Sequence, residues 1–417
     1  MGPREVVIFC SMEEDHWEPT LIRGALWHHG IRSRVLGYKS LEKVDENALC
    51  IVLSTHKKKE AALICPGDLA KPIVLAGHDI TQEYIMKRFA VSEDEIVVYG
   101  EPYALLPKLA MDQDFLSQMR GKAVLGPLLD TREYSTYPAI EKNEFVSIMT
   151  SMGCMKRCGY CTYGRTFSGL YSKKFSRRSR PWKSVQKELI DFMGKGINVF
   201  ALLADQFLSA DPEENQELYA LASNWDVKKY GRPMLTFTIS PLEVLGNRSL
   251  LKAMSMLFQI YPRYSIDSFD PDTLALLDLD FDASQALEAL EFLTHLRLSF
   301  RINYIFIRPG MTLRRIEKEL NHFKSIAAAT SYMTPYEKLL LAFDLFSHDL
   351  QAMRGTSVWE EKRVHEGYEA WLQPEILRVM SKIQEAMRGE MGHLQTTNKR
   401  DEPLHAIIDA GLVEIKS

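Results

Sequence analysis

The chain of 417 residues holds six cysteines, and none follows position 161. So few thiols, scattered over so long a chain, exclude a disulfide-built scaffold and predict a reducing compartment. Their absence from the C-terminal part also excludes a second, thiolate-bound metal group there. Charge of one sign is lacking as well. Fifty-one Lys and Arg against 55 Asp and Glu leave a net charge of −4, too little to gather nucleic acid. No run approaches the ~18 continuous apolar residues of a membrane span. The first residues, Met1-Gly-Pro-Arg-Glu5, lead into a strand with no apolar leader. These absences predict a cytoplasmic protein with neither membrane nor nucleic acid as partner. The remaining composition, 46% apolar and 25% charged, is that of a globular protein, and the length allows two or three domains with full cores.

What is present is concentrated at Cys154-Met-Lys-Arg-Cys158-Gly-Tyr-Cys161. This spacing lets one short loop wrap three thiolates around a single inorganic centre. Four thiolates would close a structural zinc site or an electron-transfer cluster. Three leave one iron of a four-iron cluster open to a small molecule. The preceding Phe145-Val-Ser-Ile-Met-Thr150 reads as a buried strand, so the loop leaves a strand end. A zinc site completed by one of the 11 histidines remains open on spacing alone.

The motif resembles that of the radical S-adenosylmethionine (SAM) enzymes. In that family the open iron chelates the amino and carboxylate groups of SAM. An electron then cleaves the sulfonium and releases a 5′-deoxyadenosyl radical. The resemblance implies a [4Fe-4S] cluster on Cys154, Cys158 and Cys161, and it places Tyr160 against the adenine. After the loop, strand patterns at 198–203, 234–239, 259–266, 301–307 and 338–345 follow the one at 145–150. Six βα units over residues 145–348 match the family's partial (βα)6 barrel, whose chemistry belongs at the carboxyl ends of the strands.

Those ends carry further resemblances. Leu203-Ala-Asp205-Gln-Phe207 is similar to the Asp-Asp-x-Phe of cobalamin-type members, which implies that Asp205 receives the SAM ammonium. Ala204 replaces the first Asp. Ser240 stands where the family often has a polar contact to SAM. Ser265-Ile-Asp267-Ser268 is similar to Gly-x-Glu-Ser, with Asp267 for the Glu, and Arg308-Pro-Gly-Met-Thr312 lies close to the usual Pro-Gly-Glu-Thr turn. Tyr160, Asp205, Ser240, Asp267, Ser268 and Arg308 are thus the expected cofactor-binding side chains. Tyr304, Tyr336 and Glu337 are candidates to face substrate. Of the positive run Lys173-Lys174-Phe-Ser-Arg177-Arg178-Ser-Arg180, a guanidinium is a candidate to hold a substrate or SAM carboxylate.

Residues 1–110 alternate strand and helix signals, predicting a Rossmann-like domain with ligands at the strand ends. The pattern is similar to the cobalamin-binding domain that precedes many radical SAM cores. Ala76-Gly77-His78 stands for Gly-Gly-x-His, and Gly100-Glu101-Pro-Tyr103 for Gly-Glu-x-Glu. The segment 54–72 is short for the helix that flanks the cobalamin nucleotide tail. If corrin binds, residues 10–17 lie over its face; His16 is the side chain able to reach cobalt, and no ligation by it is expected, since an open lower face favours methyl transfer. Residues 111–144 read as a connector. Residues 349–417 read as a helical C-terminal region, with helices at 359–367 and 374–387 and a polar, exposed tail from 395.

The resemblance implies a radical SAM enzyme acting on an unactivated carbon of a small molecule or peptide, with a flavodoxin- or ferredoxin-like reductant. Cobalamin-dependent C-methylation is the favoured outcome. The alternatives are a corrin-free radical enzyme, performing dehydration, epimerisation or bond formation, and a non-catalytic iron–sulfur electron-transfer protein.

Overall fold

The structure is a computed structural model. It describes residues 5–10, 17–37, 44–45, 48–53, 73–77, 91–130, 145–161, 169–171, 177–308, 310–346, 373–396 and 403–416. The chain forms two compact units, one of Met1–Met152 with Thr166–Ile197, the other of Gly153–Arg165 with Asn198–Ser417.

In the first unit, β1 (Val6–Cys10) and β3 (Leu49–Leu53) are buried at every residue. Runs like these, apolar on both faces, belong to parallel sheets covered on two sides. With β2 (Ser33–Gly37), β4 (Ile73–Ala76), β5 (Glu95–Gly100) and β6 (Lys122–Gly126) they form one sheet in the order β2-β1-β3-β4-β5-β6. Each of these pairings is parallel. The order is doubly wound of the flavodoxin type, with its switch point between β1 and β3. The helix Trp17–His28 ends in a Schellman motif. Gly30, at φ +72°, donates to Trp27 O at 2.8 Å and Ile31 donates to Leu26 O at 3.0 Å.

β6 was not expected. It falls inside the stretch 111–144 read as a connector, and the helices Leu105–Met111 and Gln113–Met119 lead up to it. As an edge strand beginning at an exposed lysine and only partly buried, it has a weak apolar signature. The same unit contains β7 (Val146–Met152), paired antiparallel with β8 (Arg178–Ser179), and the helix Trp182–Met193.

The second unit holds four parallel strands in the order β12-β11-β10-β9, namely Arg301–Tyr304, Gln259–Asp267, Met234–Ile239 and Val199–Ala204. Helices follow each strand, and Phe207 stacks on Phe237 with ring centroids 4.3 Å apart. The sixth strand expected at 338–345 is instead the helix Pro335–Phe346. Its start is a capping box. Thr334 N–H donates to the Glu337 carboxylate at 2.8 Å, and Glu337 N–H returns to Thr334 Oγ1 at 3.3 Å, with Pro335 at the first helical position. Its apolar side places Phe346 against Phe306 and Phe323, at 5.3 Å from each ring. Buried Asp344 ties the helix to the start of β12 by accepting from Ile302 N–H at 3.1 Å and from the Arg301 guanidinium. The apolar run at 338–345 is therefore a buried helix, which periodicity alone does not distinguish from a buried strand.

The C-terminal region is helical, as expected, but its boundaries differ. The helix Pro374–Thr396 runs through Gly389 and Gly392, which nothing crowds. The tail read as polar contains the helix Pro403–Lys416, with Leu404, Ile407, Ile408 and Leu412 buried. The helix expected at 359–367 lies outside the described residues. No described helix is long and apolar enough to cross a membrane.

Candidate functional site

All nine side chains expected at the site belong to the second unit. The cysteine loop is held by the residues between its cysteines. Gly153, at φ +88°, donates its N–H to Asp205 Oδ2 at 2.6 Å, just beyond β9. Met155 N–H donates to Gln206 Oε1 at 3.1 Å, and Gln206 Nε2 donates to Leu208 O at 3.1 Å. Lys156 Nζ pairs with Glu243 at 2.8 Å, in the helix Pro241–Gly246 that follows β10. Gly159 N–H donates to Leu277 O at 2.5 Å, and the backbone there approaches so closely that a Cβ would crowd Leu276 O and Leu277. Tyr160 packs on Leu277 and Ile305, and its hydroxyl donates to Asp267 Oδ2 at 3.0 Å at the end of β11. Attachments thus come from the ends of β9, β10 and β11 and from the helix Pro271–Leu276.

Cys154, Cys158 and Cys161 are half-buried thiols. Burial pushes Cys154 up to about 11 and Cys158 up to about 12, partly offset in both by the Lys156 ammonium. Cys158 lies within electrostatic reach of Cys154 and Cys161. Among the described residues, no three His, Cys, Asp or Glu side chains stand close enough to hold one metal ion. Zinc would need thiolates at about 2.3 Å from a common point. The ligands of a multi-iron cluster stand on separate irons and are spread by the width of the cluster. An all-thiolate donor set also suits iron–sulfur ligation. These residues fit such a cluster.

Ser240, 4% exposed, stands at the N-cap of Pro241–Gly246, yet its hydroxyl makes no capping bond. Its Oγ is buried without a hydrogen-bond partner. An orphaned hydroxyl at a strand end, on the same helix start as Glu243, suits a polar ligand that would complete it. Asp267 closes β11 at φ +55°, where the register with β12 slips between Ser265 and Asp267. Burial raises its carboxyl to about 6, against the opposing Tyr160 hydroxyl and Lys156 charge.

Two expected ligand contacts are turned elsewhere. Arg308, 1% exposed, forms an ion pair with buried Glu319. It also donates to Thr273 Oγ1 at 2.7 Å, Ile305 O at 3.0 Å and Phe306 O at 3.2 Å. Ser268 is fully buried, accepting from Asp270 N–H at 3.0 Å and donating to Glu319 at 3.5 Å. Both brace the turn after β11 against the helix Leu313–Ala329. Of the substrate candidates, Tyr304 is in the core, Tyr336 is exposed on a helix and Glu337 is the capping residue described above. Gln206, Lys156 and Glu243 were not singled out from the sequence. Their signal was adjacency, Gln206 beside Asp205 and Lys156 between two cysteines.

In the first unit, the end of β5 is already filled. Gly100 lies at φ +83°, and the Tyr171 hydroxyl takes the place its Cβ would need. That hydroxyl accepts from Glu101 N–H at 2.6 Å and donates to Gly126 O at 2.6 Å. Glu101, 1% exposed, forms an ion pair with Arg178 and accepts from Leu129 N–H at 3.0 Å. Arg180 donates to Met149 O at 2.9 Å and to Glu188 at 3.0 Å. Arg178 and Arg180 thus brace their own unit. Tyr103 is buried in the core. Gly77 closes β4 at φ +112°, whereas His16, residues 54–72 and His78 lie outside the described residues.

No protein-family model matches the sequence, and no curated protein matches it. Solved structures do match. The cobalamin-dependent SAM radical enzyme OxsB, with aqua-cobalamin bound, aligns with a TM-score of 0.65 at 12% identity, over 95% of this chain and 71% of that one. OxsB with aqua-cobalamin and SAM bound gives 0.60 at 13% identity, over 88% and 56%. The radical SAM methyltransferase TsrM from Kitasatospora setae, with tryptophan substrate and the SAM analogue aza-SAM, gives 0.57 at 14% identity, over 78% and 71%. At these identities the likeness is one of architecture, and the architecture of this chain is that of the cobalamin-dependent radical SAM enzymes.

Proposed function

We propose that the protein is a radical SAM enzyme that modifies an unactivated carbon of a small molecule or peptide, with cobalamin-dependent C-methylation as the favoured outcome. The observation that carries this reading is the division of labour in the cysteine loop. Met155, Lys156, Gly159 and Tyr160 fasten it to strand ends and a helix, which leaves the three thiols between them clear of the loop's own attachments. A bound cluster would supply the electron that cleaves SAM. Asp205 and Gln206 hold the loop, and Asp205 offers a negative charge to an ammonium group. The Ser240 hydroxyl offers an unused donor and acceptor to a polar ligand. Tyr160, fixed through Asp267, presents a flat apolar face suited to a base.

Support for cobalamin comes from the sheet order and from the corrin named for OxsB. A flavodoxin-type sheet seats its ligand beyond the carboxyl ends of the strands, at the switch between β1 and β3. With Tyr171 over Gly100, a corrin would have to lie on the β1, β3 and Gly77 side. The filled β5 end is also the observation that favours the corrin-free alternative. The tryptophan named for TsrM supports a small-molecule substrate.

The test is the absorbance spectrum of anaerobically purified protein, followed by reduction with SAM. Iron–sulfur absorbance and release of 5′-deoxyadenosine are expected. Protein that loads no iron, or cleaves no SAM when loaded, overturns the reading. Equilibrium dialysis against hydroxocobalamin separates the alternatives, and no binding below millimolar concentration retires methylation.

A further inference from the structure

Lys156 sits midway between Cys154 and Cys158, and its side chain turns inward to an ion pair of 2.8 Å with Glu243. Glu243 is 2% exposed, and its helix is firmly seated. Asn247 Nδ2 donates to Glu243 O at 2.9 Å and to Ser209 O at 2.7 Å, while its Oδ1 accepts from Asn215 at 2.8 Å. Gly246 packs so tightly that a Cβ there would strike the Ala210 carbonyl. A lysine in a solvated loop needs no such partner, and desolvating an ion pair is weak as a source of stability. Its place beside the thiols sets this pair apart. The ammonium lies within electrostatic reach of both Cys154 and Cys158.

We propose that Lys156 and Glu243 form an opposed charge pair that sets the reduction potential of the cluster, with Glu243 a positioning residue acting through Lys156. This rests on the cluster reading above. Reduction adds an electron to an anionic group, so a nearby cation favours the reduced form and a nearby carboxylate the oxidised form. While paired, each charge offsets the other. Removing one partner uncovers the other, and the two removals act with opposite sign.

The experiment compares anaerobically reconstituted wild type, Lys156→Met, Glu243→Gln and the double variant. Iron per chain is measured first, then the midpoint potential by redox titration followed by EPR. Glu243→Gln is expected to raise the potential and Lys156→Met to lower it, with the double variant returning close to wild type. Shifts of the same sign in both single variants, or none at full iron content, overturn the proposal, because a purely structural pair would behave in that way. Should the neutral variants load poorly, Lys156→Arg and Glu243→Asp keep both charges and are expected to keep the wild-type potential. A clear shift in either overturns the proposal. A wild type that takes up no iron is a different failure, that of the cluster reading itself.

Discussion

The Tyr160 hydroxyl donates to Asp267 Oδ2 at 3.0 Å, joining the last spacer of the cysteine loop to the end of β11. The carboxylate sits at φ +55° in the slip between β11 and β12, and Ile305 N–H holds its backbone carbonyl at 2.8 Å. One residue thus ends a strand, turns the chain and orients the aromatic ring beside the third cysteine.

This arrangement makes stability depend on pH. Burial raises the Asp267 carboxyl from 3.8 to about 6, so the folded state binds its proton more tightly than the unfolded state. Stability therefore falls as pH rises from about 4 to about 6, by an amount on the order of 3 kcal/mol at most. Asp267→Asn keeps an acceptor for Tyr160 and tolerates positive φ. In urea titrations between pH 4 and 7, the variant is expected to lose this slope. An unchanged slope would assign it to other groups.

Changing Cys154, Cys158 and Cys161 together to Ala is expected to abolish iron binding while far-UV circular dichroism keeps its native form. A triple variant that still takes up a full complement of iron after reconstitution removes the thiols from the site.

Asp205→Ala takes away the acceptor of Gly153 N–H and a negative charge near the loop. SAM affinity is expected to fall roughly 10- to 100-fold, as for loss of a charge-assisted contact. Gln206→Ala, which removes the bonds to Met155 N–H and Leu208 O but no charge, is expected to cost stability by about 1–2 kcal/mol. Calorimetric SAM titration of both variants checks the ranking, and equal affinities would move the ammonium contact elsewhere.

Arg308→Met leaves Glu319 buried without its ion-pair partner, and a loss of about 3–5 kcal/mol is expected on denaturation. At a temperature where the variant is folded, SAM affinity should match wild type. A large loss of affinity with stability intact would return Arg308 to the ligand.

The legible parts of this chain are those whose signals are local and unambiguous. β1 and β3 announce themselves as unbroken apolar runs, and the three thiols by their spacing. The helix Pro335–Phe346 is hidden in the sequence because a short apolar run suits a buried strand as well as a buried helix, and only the capping signature Thr334-Pro-Tyr-Glu337 separates the two. β6 was missed because an edge strand needs few apolar residues. Asp205 and Asp267 are legible as strand-end residues, and they bond Gly153 and Tyr160 of the loop. The partner of Arg308 is not legible, since only the structure shows that Glu319 lies on the next helix. Glu243 stands 87 residues after Lys156, and no sequence pattern joins an ion pair across that separation.

The pairing of Glu101 with Arg178 has a consequence for how the protein comes to be made. The acid precedes the cysteine loop in the chain and the base follows it, as does the Tyr171 hydroxyl that fills the space over Gly100. A ribosome that has delivered residues 1–152 has therefore delivered a sheet whose buried carboxylate still awaits its counter-ion. The first unit matures only after the cysteine loop has emerged. A gene fragment cut at residue 152 is not a smaller version of this unit but an unfinished one.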